Sequence, residues 1–281
     1  SDQILVVGAR LGEMTTGGYT TIKPNKKSKI IHVYPDKKEL GKVYKPIIGI
    51  KANSSIFSKM IKDKKIKNIK WERWSNSCRK NYIEYSTPPK YSSEPDMGKI
   101  MLILREYMPK NTIITIDAGN FSGWIQRFWK YTEVKTQLAP TSGAMGYSIP
   151  AAISAKIAKK SAPVIAFCGD GGFMMSSQEL ATCNQYKIKP IIIIINNKML
   201  GTIRMHQEKH YPKRKIATDL VNPDFKVLSK SYNAHYENIK NHKQFLKALK
   251  RSIAANKAAV IEIEVDPQQI TTRQKMKDLN Q

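Results

Sequence analysis

No run of uncharged apolar residues in this 281-residue chain approaches the ~18 that a membrane-crossing helix requires. The longest aliphatic stretch, Ile191-Ile192-Ile193-Ile194-Ile195, suits a buried strand and is too short to cross a bilayer. Cysteine is scarce. Cys78, Cys168 and Cys183 lie far apart with no CxxC spacing, which excludes a disulfide framework and a cysteine-based zinc site. The first residues, Ser1-Asp2-Gln3-Ile4-Leu5-Val6-Val7-Gly8, lack the basic segment and long apolar core of a secretory signal. A reducing, cytoplasmic setting is therefore expected, with no membrane contact.

Acidic residues are few: 22 Asp and Glu face 48 Lys and Arg, a net charge of +26. A basic chain invites comparison with nucleic-acid binders, which cluster Lys and Arg against phosphates. Here the lysines are dispersed in short runs, Lys26-Lys27, Lys37-Lys38, Lys64-Lys65, Lys159-Lys160, Lys213 to Lys215 and Lys247 to Lys250. That pattern reads as a solvated surface, and no specific nucleic-acid partner is expected. A hydrophobic fraction of 41% is ordinary for a folded protein.

Strands and helices alternate, so the expected class is α/β with doubly wound parallel sheets. Ile4–Val7, Lys29–Tyr34 and Pro46–Ile50 read as strands, with short helices near Lys37–Gly41 and over Asn53–Ile61. They form a partial, Rossmann-like domain over 1–62. Residues 63–96, with Trp71, Trp74 and Pro88-Pro89, change character; they are expected to be a linker with some helix near 70–84. A larger domain over 97–270 follows, with a tail over 271–281. Its helices are expected over Met97–Met108, from Tyr147-Ser148, over Ser177–Tyr186 and over Asn241–Ala255. Its strands are Thr112–Ile116, Val164–Cys168, Ile191–Ile195 and Ala259–Val265. A strand so close to the first residue, and half a sheet before the linker, suggest the C-terminal part of something longer, or one subunit of a split enzyme.

Loops rich in Gly, Asp and Asn fall after these strands, at the edge where ligands bind in parallel sheets. Gly169-Asp170-Gly171-Gly172 sits between a strand and a helix. Glycine lets a backbone approach a ligand, and free N–H groups at a helix start suit a diphosphate. Asp170 would repel that diphosphate unless a cation lay between them, as Mg²⁺ does with a carboxylate and phosphate oxygens. Alone, the pattern is also that of a tight turn. After 24 intervening residues the next strand ends in Asn196-Asn197. An amide oxygen there is a hard donor of the kind Mg²⁺ takes, although Asn197 as a simple helix cap fits the residue type too.

GDG followed by NN at this separation resembles the thiamine-diphosphate (ThDP) signature of the decarboxylase and acetohydroxyacid synthase superfamily. The resemblance runs from Ile4 almost to Asp266. It is closest to acetolactate-synthase-like enzymes over Leu138–Ala155 (LAPTSGAMGYSIPAAISA) and Gly169–Cys183 (GDGGFMMSSQELATC). It implies Mg²⁺ held by Asp170, the Asn197 side chain and the Met199 carbonyl. Gly169 opens the motif, and the amides of Gly171 and Gly172 would hold the diphosphate, with Gly119 and Asn120 on its other side. It also implies that Gly143 and Met145 hold the aminopyrimidine through backbone groups and that the Met145 side chain wedges the cofactor into a bent shape. A flexible thioether that simply fills core space is the plainer reading of Met145.

The implied activity is that of a lyase or transferase acting on a 2-oxo acid, by decarboxylation or by condensation with a second carbonyl compound. The hard step is the cofactor's. The resemblance implies no catalytic residue in this chain, because the family's activating Glu lies on an N-terminal pyrimidine domain of a partner subunit. Alone, the chain is expected to be silent, and the complete enzyme to be a dimer or tetramer. A split 2-oxo acid decarboxylase subunit and a non-catalytic remnant that binds Mg-diphosphates are the rival readings. Gly8-Ala9-Arg10-Leu11-Gly12 lies where FAD-carrying relatives contact it, but Tyr34 stands where those relatives commonly have Asp, which argues against FAD. His206 and His210 read as part-exposed structural residues, and Cys168 as a residue packed inside its strand.

Overall fold

The computed structural model describes residues 3–22, 29–65 and 70–279. The Lys26-Lys27 run and the first two residues lie outside the described residues. The chain divides into two compact units, Ser1–Ser75 and Asn76–Gln281.

In the first unit, β1 (Gln3–Val7), β2 (Lys29–Tyr34) and β3 (Ile48–Lys51) form a three-stranded parallel sheet in that order. Helix α1 (Ser54–Ile61) follows. The expected helix at Lys37–Gly41 is only a 3₁₀ turn, Lys37–Glu39, started by Asp36 Oδ1 accepting from Lys38 N–H. Gly41, at φ +84°, turns the chain out of it. The third strand starts two residues later than expected, since Pro46 has no N–H for a ladder; Ile47 N–H is the first to bond β2, at the Ile30 carbonyl. Helix α2 (Glu72–Tyr85) buries no residue and crosses the boundary between the units.

The second unit carries the larger sheet. Its elements are α3 (Met97–Tyr107), β4 (Ile113–Ile116), α4 (Ser122–Phe128), β5 (Gln137–Leu138), α5 (Ser148–Ala158), β6 (Val164–Gly169) and α6 (Asp170–Ser176). Then come α7 (Leu180–Tyr186), β7 (Ile191–Asn196), α8 (Gly201–His210), α9 (Phe225–Ser231), β8 (His235–Ile239), α10 (Phe245–Ala254) and β9 (Ala259–Glu264). All six strands are parallel, in the order β5-β4-β6-β7-β9-β8. Burial on both faces explains why β7 is a run of isoleucine rather than an alternation. Ile191, Ile193 and Ile195 pack with α3, α4 and α10, through Leu104, Phe128 and Leu249 among others. Ile192 and Ile194 pack on the other face with Ile149 of α5, Phe173 of α6 and Phe225 of α9. Each such side chain stabilises the fold by about 1.5–3 kcal/mol relative to exposure.

Two expected helices are divided. The stretch 177–186 opens as a 3₁₀ turn, Ser177–Glu179, before α7, and 241–255 opens as a 3₁₀ turn, His242–Gln244, capped by Asn241. Strand order reverses between β4 and β6, since β5 lies outside β4 while the later strands build away on the other side. A crevice at the carboxyl ends of those two strands follows from that reversal.

Candidate cofactor and metal site

The crevice is a cleft of about 250 Å³, and it lies within the second unit. All ten residues singled out from the sequence line it. Gly119 and Asn120 enter from the end of β4, Gly143 and Met145 from the loop after β5, and Gly169 to Gly172 from the β6–α6 junction. Asn197 and Met199 enter from the loop between β7 and α8. His206 and His210 do not line it. They stack on each other on α8, both exposed.

Gly169-Asp170-Gly171-Gly172 is the junction of strand and helix rather than a free turn: Gly169 caps α6 and Asp170 is already its first residue. Gly171 and Gly172 of that first turn line the cleft, and a helix start leaves N–H groups without intrahelical partners. Close packing explains the glycines. A Cβ on Gly172 would lie 2.3 Å from Asp117 Oδ2, and one on Gly171 would lie 3.0 Å from Leu200 Cδ2 and 3.2 Å from the Met145 methyl. Gly119, at φ +152°, has the Phe121 ring where its Cβ would be. Half-buried Met145 thus stands over the first turn of α6.

Asp170 is 2% exposed, and no Lys, Arg or His pairs with it among the described residues. Burial raises its carboxyl above the usual range, against the lowering effect of Asn222 and of the backbone N–H groups of Gly171 and Lys198. Asn222 Nδ2 donates to Asp170 Oδ2 at 2.8 Å and to Asn196 Oδ1 at 3.1 Å. Asn196 in turn donates to Glu262 Oε1 at 2.6 Å, so the buried carboxylate sits at one end of an amide chain.

The loop after β7 is fixed by its own residues. Lys198 is left-handed (φ +55°), and Asn197 Oδ1 accepts from Met199 N–H at 3.2 Å. An isolated bridge pairs Met199 with Asp219, through Leu200 N–H to the Thr218 carbonyl and Leu220 N–H to the Lys198 carbonyl. Arg204 of α8 clamps that partner segment, bonding Thr218 Oγ1 at 2.6 Å and Asp219 Oδ1 at 2.5 Å. The Met199 carbonyl accepts no hydrogen bond among the described residues.

One buried carboxylate without a counter-charge, one side-chain amide oxygen and one free carbonyl make an all-oxygen donor set, the kind a hard divalent cation takes. No group of three or more His, Cys, Asp or Glu is gathered anywhere among the described residues, so the set differs from that of a zinc or iron centre. The residues present fit Mg²⁺ with a diphosphate against the first turn of α6.

Several contributors carried no motif. Asp117 accepts from Gly146 N–H (2.9 Å) and Ser148 N–H (2.6 Å), tying the 143–148 segment to the end of β4. Thr202 Oγ1 accepts from Asn120 N–H at 2.9 Å and donates to Asn120 Oδ1 at 3.1 Å, joining α8 to the opposite loop. Asn222 is 52 residues from the carboxylate it holds. Only the position of Asp117 at a strand end offered a signal.

Fold and cleft together define an α/β domain with its cleft at the switch point of a parallel sheet. Residues 117–263 match the model of the thiamine pyrophosphate enzyme C-terminal TPP-binding domain, and residues 1–61 match that of the family's central domain. The chain belongs to the thiamine pyrophosphate enzyme family. It is 33% identical to the probable acetolactate synthase large subunit of Methanocaldococcus jannaschii, over 95% of this chain and 46% of that protein. To the probable acetolactate synthase large subunit of Methanococcus aeolicus it is 32% identical, over 95% and 47%. To the acetolactate synthase large subunit of Lactococcus lactis it is 30% identical, over 89% and 44%. The chain spans about half the length of the curated relatives it matches. No helix among the described residues is long and apolar enough to cross a membrane.

Proposed function

We propose that this chain is the cofactor-binding part of an acetolactate-synthase-like enzyme that binds ThDP with Mg²⁺ and acts on 2-oxo acids. The single observation that carries the reading is Asp170. It is a buried carboxylate that no cation neutralises among the described residues, beside Asn197 and the free Met199 carbonyl, at the start of a helix. An isolated buried charge is costly, and a divalent ion between it and two phosphates removes the cost.

Asp170, Asn197 and the Met199 carbonyl hold the metal in this reading. The amides of Gly171 and Gly172 take phosphate oxygens, helped by the positive end of α6. Gly119 and Asn120 close the cleft from β4, and Gly143 and Met145 orient the ring system. When bound, ThDP supplies a thiazolium that accepts the electrons released as a 2-oxo acid loses CO₂. The protein's share is position and electrostatics. The activating Glu comes from a pyrimidine domain outside these 281 residues, in an oligomer in which the cofactor lies between subunits. The names of the relatives, acetolactate synthase large subunits, support condensation with a second carbonyl compound over simple decarboxylation.

Calorimetric titration with ThDP tests the reading. Binding is expected with Mg²⁺ and not with EDTA, and turnover of pyruvate only after a pyrimidine-domain polypeptide is added. Equal affinity with and without divalent ions would remove the metal role of Asp170. Binding without turnover under any pairing would leave a non-catalytic diphosphate binder.

A further inference from the structure

At the opposite, amino-terminal edge of the large sheet lies a second hollow, of about 780 Å³, within the range of small-molecule sites. Four helices finish around it. Tyr107 comes from the end of α3, Lys156 from the last turn of α5, Lys187 from the end of α7, and Ser252 and Ile253 from the last turns of α10. Five lysines line it: Lys156, Lys160, Lys187, Lys189 and Lys257. No Asp or Glu does, and none of the five enters an ion pair among the described residues.

Lysines near helix ends ordinarily offset the negative pole of the helix. Four C-termini supply about −0.5 each, or about −2 together. Five ammonium groups exceed that by about three charges. Some are tethered, Lys156 Nζ to the Ala162 carbonyl at 2.7 Å and Lys189 Nζ to Asn256 Oδ1 at 2.5 Å, which holds positive charge at the rim. Lys156 is itself pushed below the usual lysine range by burial and by Lys189.

The walls also carry exposed apolar surface, Tyr107 and Ile253. A phosphate accepts from the ammonium groups, and an apolar organic body suits the Tyr107 and Ile253 side of the hollow.

The geometry points to a binding site for a small polyphosphate, of the nucleoside diphosphate kind, at the sheet edge remote from the ThDP cleft. The test is calorimetric titration of the full chain with ADP and with pyrophosphate, each in EDTA. Lys189→Gln/Lys257→Gln is expected to weaken ADP binding by at least about tenfold. Lys226→Gln/Lys230→Gln on α9 removes the same charge elsewhere and changes affinity by less than about twofold. Tighter binding of ADP than of pyrophosphate assigns part of the affinity to the apolar wall; equal binding assigns it to the phosphates, and both support the site. Absence of binding for both, equal losses in the two lysine pairs, or binding of duplex DNA alone overturns it. So does ADP binding that changes in Asp170→Asn and not in Lys189→Gln/Lys257→Gln, which would place the nucleotide in the cofactor cleft.

Discussion

Asn222 shows how a residue with no motif can govern a charged centre. Its side-chain NH₂ is shared between Asp170 Oδ2 and Asn196 Oδ1, at 2.8 and 3.1 Å, so one Asp170 oxygen is engaged from the protein side. A carboxylate pinned in this way presents its other oxygen in a fixed direction, and groups that orient a metal ligand commonly affect metal affinity about 10–100-fold. Asn222→Ala is therefore expected to weaken Mg²⁺-dependent ThDP binding by at least about tenfold, read by calorimetry. A loss of under about twofold would make Asn222 a loop residue and nothing more. The same residue marks where sequence reading stops. Gly169-Asp170-Gly171 and Asn196-Asn197 could be placed because each ends a strong strand, and adjacent strands bring their ends together. Asn222 reaches the site from a loop before α9, and nothing in Val221-Asn222-Pro223 announces a partner 52 residues away.

Complete burial made β6 and β7 legible, although β1, β3 and α1 were also placed from sequence with little or nothing buried. β6 and β7 are apolar up to the Gly169 and Asn196 that end them because both faces meet helices, and α3 has its apolar side at helical spacing. β8 could not be read in this way. Its sequence, HYENI, has one fully buried residue, Ile239, and its polar groups are held by specific partners. Glu237 is the clearest of these, gripped by Arg251 of α10 at 2.7 and 2.6 Å and by His235 at 2.9 Å. α4 and β5 were missed for a different reason, since seven and two residues give too little periodicity to see. The Glu237 grip has a measurable sign. The bond from Arg251 holds the Glu237 carboxyl below its ordinary value, partly opposed by burial. As pH falls through the ordinary carboxylate range, the unfolded chain takes up a proton while the folded chain does not. The stabilisation is thus complete above the unfolded value and disappears as pH falls through the folded one. Arg251→Gln should melt below the parent protein at pH 7, and the gap should close in that acidic window. A gap that stayed constant with pH would assign the loss to packing instead.

Across the whole molecule, burial is unevenly divided. The buried apolar residues described in the first unit are Val6, Ile30, Val33 and Tyr44, whereas the second holds two clusters, one on each face of its sheet. Ordering a residue costs about 1–2 kcal/mol of backbone entropy, and a buried aliphatic side chain returns about 1.5–3 kcal/mol. Four such side chains are little to set against some seventy residues, while the larger unit has a full core. Amide hydrogen exchange should therefore find β1 to β3 protected far less than β6 and β7. Ligand binding sharpens the expectation. A cofactor held in the cleft at about a hundred times its Kd adds about 2.7 kcal/mol to whatever unfolds together with the cleft. With ThDP and Mg²⁺ present, exchange in β6, β7 and the first turns of α6 and α8 should slow by about a hundredfold, and exchange in β1 to β3 should not change. Equal slowing in all of these strands would mean that the two units open as one, and that the small sheet draws its stability from the large one.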